Sequence, residues 1–135
     1  MEDLAVGQAA EITRTVAAAD LDAFAAITGD DNPLHLDEDY AATTPFKGRI
    51  AHGMLAAGYI SAVIGVKLPG PGAIYVSQTL RFRRPVRIGD AVTARVEITA
   101  LDPPRARATL ATVCRVNGKV VVDGEAEVMV PRRGS

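Results

Sequence analysis

The sequence predicts an α+β domain in which a curved, mostly antiparallel sheet wraps around one buried helix. Three observations carry this. Residues 53–66 contain no charge, and Met54, Leu55, Tyr59, Ile60, Val63 and Ile64 cover several helical faces, as in a helix buried in a protein core. Beyond residue 79 the apolar period drops to two, the pattern of strands with one wet face. Asn117-Gly118 separates two apolar runs, the strongest short-range signal for a two-residue hairpin. A buried helix followed by a meander packs most economically with the sheet folded around the helix.

Taken in order, Asp20 is placed to cap a helix through Phe24 and Ile27, and Gly29 to end it. Asn32-Pro33 disfavours helix, because the residue before a proline is pushed towards extended geometry. Asp37 can cap a short helix through Tyr40 that stops before Pro45. In the uncharged helix Ala56, Ala57, Gly58 and Ala62 would admit neighbouring strands closely. Leu80 and Phe82 alternate with Arg81 and Arg83, and Val92, Ala94, Val96 and Ile98 with Thr93, Arg95, Glu97 and Thr99. Gly89-Asp90 marks a turn and Asp102-Pro103-Pro104 a connection. The hairpin joins residues 111–116 to 119–122, and Ala126, Val128 and Val130 form a last alternating set.

Length and composition narrow the function classes. The 135 residues suit one domain, 1–135, since halving them would leave two cores too small to stand alone. Fifteen basic and sixteen acidic residues give a formal charge of −1, so no global field favours nucleic acid or a membrane surface. The uncharged run is also shorter than the ~20 residues that span a bilayer. A single cysteine, Cys114, forbids an internal disulfide and a multi-cysteine zinc site, and its strand setting offers no neighbouring base. Two histidines on separate segments do not suggest a metal-ligand cluster, and no cofactor is expected. The acidic opening Met1-Glu2-Asp3-Leu4 has no apolar run behind it, unlike a signal peptide, so a cytoplasmic protein is expected.

The chemistry concentrates in Asp30-Asp31-Asn32-Pro33-Leu34-His35 and Ala51-His52-Gly53-Met54, which together hold both histidines of the chain. On an ideal helix Asp30 and His35 would stand about 140° apart. With Pro33 making the segment a loop, the two side chains can converge as an acid/base pair. Read alone, Asp30 fits an ordinary Asx turn equally well. The N–H groups that open the helix at Gly53 suit a developing oxyanion, and glycine lets a carbonyl approach the backbone. Helix packing alone is the competing reading of that glycine. Tyr59 reads as core. Arg81, Arg83, Arg84 and Arg87 could hold phosphates, although a solvated strand face explains Arg81 and Arg83 as well. Pro69-Gly70-Pro71-Gly72 lacks the lysine and following helix of a phosphate-cradling loop.

These motifs in this order resemble the MaoC-like hydratase family, and within it the short single-domain (R)-specific enoyl-CoA hydratases. The resemblance runs through Val6-Gly7-Gln8, Asp30 to His35, Ala42-Thr43-Thr44, His52-Gly53-Met54-Leu55 and Leu68-Pro69-Gly70. It continues in Ile74-Tyr75, Phe82, Pro85-Val86, Gly89-Asp90 and Gly124-Glu125-Ala126. It implies a hot-dog fold, a homodimer with the tunnel near the subunit interface, and reversible syn hydration of trans-2-enoyl-CoA to (R)-3-hydroxyacyl-CoA. Coenzyme A then enters as part of the substrate. Carried onto this chain, Asp30 and His35 share the water. Asp30 activates it for attack at C3, His35 manages the proton for C2, and the N–H of Gly53 stabilises the enolate-like oxygen. Ser61 and Ile64 match positions that shape the acyl pocket, and Asn32 belongs to the substrate-binding stretch. The motif assigns the base to Asp30 rather than to its neighbour Asp31.

Three other readings stand beside this one. Hot-dog folds also host acyl-CoA thioesterases, which aim water at the thioester carbonyl. A dehydratase acting on carrier-protein-bound chains differs mainly in the handle. A non-catalytic binding or scaffolding subunit would have no need of Asp30 and His35 together.

Overall fold

The computed structural model describes residues 1 and 3–131. Position 2 of the acidic opening and residues 132–135 of the expected domain lie outside the described residues. Strand β1 (Ala9–Thr15) leads into helix α1 (Ala18–Thr28), two short helices, α2 (Pro33–Leu36) and α3 (Glu38–Ala42), and the long helix α4 (Gly53–Val66). Strands β2 (Ile74–Gln78), β3 (Arg81–Phe82), β4 (Ala91–Asp102), β5 (Arg107–Val116) and β6 (Lys119–Met129) follow. One antiparallel sheet in the order β1-β4-β5-β6-β2, with β3 also on β6, lies against α4.

The sheet obeys its sequence pattern. Val92, Ala94, Val96 and Ile98 are buried as the period-two alternation of β4 requires. Register carries that face across the meander. Ala94 stands opposite Cys114, which stands opposite Val122; Ile98, Leu110 and Ala126 form a second such row. Ile60, Val63 and Ile64 of α4 complete the core with these rows. Burying an aliphatic side chain of this size stabilises the fold by about 1.5–3 kcal/mol. At Asn117-Gly118 both residues take positive φ, 51° and 77°, the backbone twist that a two-residue hairpin needs.

Several expectations need correction. Asp20 is not the N-cap of α1. That position is Ala17, and the Asp20 carboxylate accepts from the Ala17 N–H at 2.8 Å from within the first turn. Pro33 does not leave a loop: it opens α2 as the first helical residue, where its missing N–H is no loss and its fixed φ fits. Helix α4 is not covered on all sides, because Gly58, Ser61, Ala62, Gly65 and Val66 face outward. Leu80 to Arg83 gives only a two-residue strand, since the chain bends at Thr79. The Thr79 N–H donates to Glu125 O at 2.9 Å, and its carbonyl oxygen sits where a Cβ on Gly124 would lie. The last two alternating runs are one strand, β6, passing through Gly124. Strand β1 alternates only through Ala10 and Ile12, which are half-buried against the core, and β2 is exposed along most of its length.

Candidate active site

Four turns in succession build the site. Helix α1 ends at Gly29, whose φ of 81° is the left-handed region open to glycine, with its N–H on Ala25 O at 2.8 Å. Thr28 Oγ donates to Phe24 O at 2.8 Å and accepts from the Asp30 N–H at 3.1 Å, fixing the first residue after the turn. The Asp30 carboxylate accepts from the Asn32 N–H at 3.3 Å, and the Asn32 side chain caps α2 by accepting from the Leu34 N–H at 3.0 Å. Asp30 therefore makes its Asx turn and still presents an exposed carboxylate. The turn reading and the acid/base reading are compatible.

His35 rides on α2 and is held from two sides. Its Nδ1–H donates to Ile50 O at 2.7 Å, which fixes the tautomer and leaves Nε2 with the lone pair. Arg49 Nε donates to His35 O at 2.6 Å, and its guanidinium also reaches Asp22 at 3.5 Å. The segment carrying these partners is anchored in turn, with the Ala51 N–H on Val86 O at 2.7 Å.

His52 is 3 % exposed and stands at the N-cap of α4 without capping it. Its Nε2–H donates to Asp30 O at 3.0 Å, and its ring stacks on His35 with centroids 3.9 Å apart and planes 30° from parallel. Phe24 packs on it at 4.5 Å. Its Nδ1 is buried with no hydrogen-bond partner among the described residues, a feature that costs about 1–3 kcal/mol in ordinary packing.

Although they lie on separate segments, the two histidines are brought together in the fold. Asp30, His35 and His52 offer atoms all within 4.8 Å of one another. One nitrogen of each ring already donates to a backbone carbonyl, His35 Nδ1 to Ile50 O and His52 Nε2 to Asp30 O, and the nitrogen left to His52, Nδ1, is buried. A single water fits better: two hydrogen bonds of about 2.8 Å from one oxygen span roughly 4.5 Å between acceptors. Beside this pair the first N–H groups of α4, starting at Gly53, lack helical acceptors. A Cβ on Gly53 would lie 2.7 Å from the ring of Phe82, so glycine keeps both the ring and the helix N-terminus in place.

His35 and Gly53 line a cleft of about 500 Å³ walled by Phe82 and Val86, with Arg83 and Arg84 at its side. Arg83 is paired with Asp123 at 3.1 Å, the solvated-strand role, and Arg84 is exposed. A second cavity of about 580 Å³ holds Ser61, Tyr75, Val76 and Leu80, and Met54 lines both. Burial raises the Tyr75 phenol above its ordinary range, and its hydroxyl donates to Gln78 Oε1 at 2.8 Å. Burial, with Asp20 adding to it, also raises Tyr59, which packs on the core. The structure brings Asp30, His35 and Gly53 together and sets Ser61 in the neighbouring cavity. Ile64 is 2 % exposed and packed in the core, and it is not among the residues that line that cavity. Asn32 is spent on capping α2 through its side-chain oxygen.

The family model of the MaoC like domain matches residues 4–126. The chain belongs to the MaoC-like family. An (R)-specific enoyl-CoA hydratase of Rhodospirillum rubrum is 58 % identical over 133 residues, covering 98 % of this chain and 92 % of that protein. The solved (R)-hydratase of Aeromonas caviae superposes with a TM-score of 0.94 at 48 % identity, over 97 % of this chain and all of that one. The R-hydratase PhaJ1 of Pseudomonas aeruginosa gives 0.93 at 54 % identity, covering 97 % and 84 %. The expected hot-dog fold is thereby established for this MaoC-like chain.

Residue-by-residue reading had His52 in the motif that opens α4 without a role of its own, and passed over what Arg49 and Thr28 do. One signal was available for His52: helix N-caps favour Ser, Thr, Asp and Asn, and histidine there is unusual. Arg49 acts on the His35 carbonyl, which the fold brings near it, whereas the Thr28 bonds to Phe24 and Asp30 are local.

Proposed function

We propose that this protein is an (R)-specific enoyl-CoA hydratase, adding water reversibly and syn across trans-2-enoyl-CoA. One observation carries the reading: the Asp30 carboxylate and a ring nitrogen of His35 lie within 4.8 Å, a single water apart, and His35 shares its cleft with Gly53 at the opening of α4. A water donating one proton to each acceptor turns its oxygen lone pair to the β-carbon. As the C3–O bond forms, the water loses a proton to the pair, electron density moves to the thioester oxygen, and C2 takes a proton from the same pair. Both additions come from one side, so the outcome is syn. Positioned acid/base groups contribute about 10²–10⁴-fold and a backbone oxyanion donor about 10²–10³-fold.

Arg84 at the side of the cleft provides a cation for the phosphates of coenzyme A. No metal or redox group enters the reaction, so dialysis against a chelator leaves the rate unchanged. The assembly we infer is a homodimer. It is supported by the uncharged outer face of α4 and by β2, where Ile74, Tyr75 and Val76 are 59 %, 38 % and 43 % exposed in the single chain. No helix among the described residues is long and apolar enough to cross a membrane. The reading places the enzyme in the cytoplasm with the acyl-CoA pool.

The test follows the enoyl-thioester absorbance of crotonyl-CoA together with release of free thiol. Loss of absorbance without thiol supports the hydratase. Thiol release instead selects a thioesterase, and inertness towards short and medium enoyl-CoAs, with activity on carrier-protein thioesters, selects the carrier-protein dehydratase.

A further inference from the structure

We propose that His52 is a positioning residue that sets the acid/base pair, holding the Asp30 backbone with one nitrogen and the His35 ring with its face. The proposal rests on the hydratase reading and adds to it a residue with no direct part in the chemistry. Three observations support it.

First, His52 contacts both partners at once. Its Nε2–H donates to Asp30 O at 3.0 Å, and its ring lies 3.9 Å from that of His35. Asp30 sits on a turn after α1 and His35 on the one-turn helix α2, so neither element alone fixes their separation. A shared buried contact does. Second, the position is expensive for packing alone. Nδ1 is buried without a partner, and phenylalanine or leucine would fill the same space with no orphaned acceptor. Third, His52 occupies the N-cap of α4 without capping it. Serine, threonine or aspartate would turn an oxygen onto the helix N–H groups, competing with the substrate oxygen for the donors beside Gly53. Histidine points away to Asp30 O and leaves them open.

The test compares His52→Gln, His52→Asn and His52→Phe in the full chain. Glutamine carries an amide N–H close to where Nε2–H stands; asparagine is too short to reach Asp30 O; phenylalanine keeps the ring face and loses the donor. With crotonyl-CoA, we expect His52→Asn and His52→Phe to lower kcat by about 10–100-fold with KM within about twofold, the size of effect that a misplaced catalytic group produces. His52→Gln should recover kcat to within about fivefold of the wild type. If phenylalanine prevents folding, the Gln and Asn pair decides. Equal kcat for Gln and Asn, or a wild-type kcat in the Phe variant, would overturn the proposal. A second readout needs no substrate. The downfield proton of His35 Nδ1–H loses the ring-current effect of the stacked ring in both amide variants, and a further displacement in the Asn variant beyond that in the Gln variant reads the loss of positioning; the same shift in both overturns the claim. Wild-type protein inert on every enoyl thioester would defeat the hydratase reading, and the His35 signal would still judge the positioning.

Discussion

Asp30 and Asp31 are neighbouring carboxylates in different settings. Asp30 lies against both histidines, and its backbone is held at N–H and C=O. Asp31 is exposed, and among the described residues only its N–H is engaged, on Gly29 O at 3.1 Å. Asp30→Asn should therefore lower kcat for crotonyl-CoA hydration by at least about 100-fold, whereas Asp31→Asn stays within about twofold. A dead Asp31→Asn enzyme would reassign the base. Cys114 is a contrasting residue. Burial pushes its thiol up to about 12 from an ordinary value near 9, and Sγ–H donates to Ala56 O. It should resist alkylation in the native protein at pH 8 and react once the chain is unfolded. The raised value also fixes the sign of its pH effect: below about pH 9 its contribution to stability is complete, and between 9 and 12 the unfolded state loses its proton first, so stability falls. Much of the residue-level site was legible because Asp30, His35 and Gly53 lie in compact motifs. His52 was not, because its partners are 17 and 22 positions away and only the tertiary fold stacks its ring.

Among the elements, the extent of α4 was readable from its uncharged run, and the turn of the β5–β6 hairpin from Asn117-Gly118, although both strands run well past the residues 111–116 and 119–122 read around it. Both signals are local. The β2–β3 ribbon was not readable, because its shape is set by a contact with β6. Thr79 crosses so close to Gly124 that a side chain there would overlap the Thr79 carbonyl. Gly124→Ala should therefore weaken the pairing of β2 with β6 and lower the melting temperature by several degrees. An unchanged melting curve would show that the ribbon bends for another reason. Helix α2 teaches a related lesson: Pro33 excludes Asn32 from the helix but starts one itself, so the same dipeptide that reads as a break is also a beginning. The Asn32 side chain caps α2, the helix that carries His35, by accepting from the Leu34 N–H.

Across the whole molecule, the sheet buries one face of α4 and leaves the other uncharged and open. Exposed Ile74 and Val66 extend that surface. Charge on β2 should split the inferred dimer: Ile74→Asp should sediment as a monomer and lose hydration activity, while a native protein that is itself monomeric would refute the assembly. Helix α4 reads in sequence as apolar on most sides and therefore buried, whereas the single chain buries only one of its faces. The central claim is that one water, held between Asp30 and His35 beside the N–H groups of Gly53, adds to a single face of the substrate. Hydration of crotonyl-CoA in D₂O, with the configuration of the product determined at C2 and C3, tests it most directly. The account predicts (R)-3-hydroxybutyryl-CoA carrying one deuteron at C2, on the same face as the new hydroxyl. An (S) product, or deuterium on the opposite face, would contradict it.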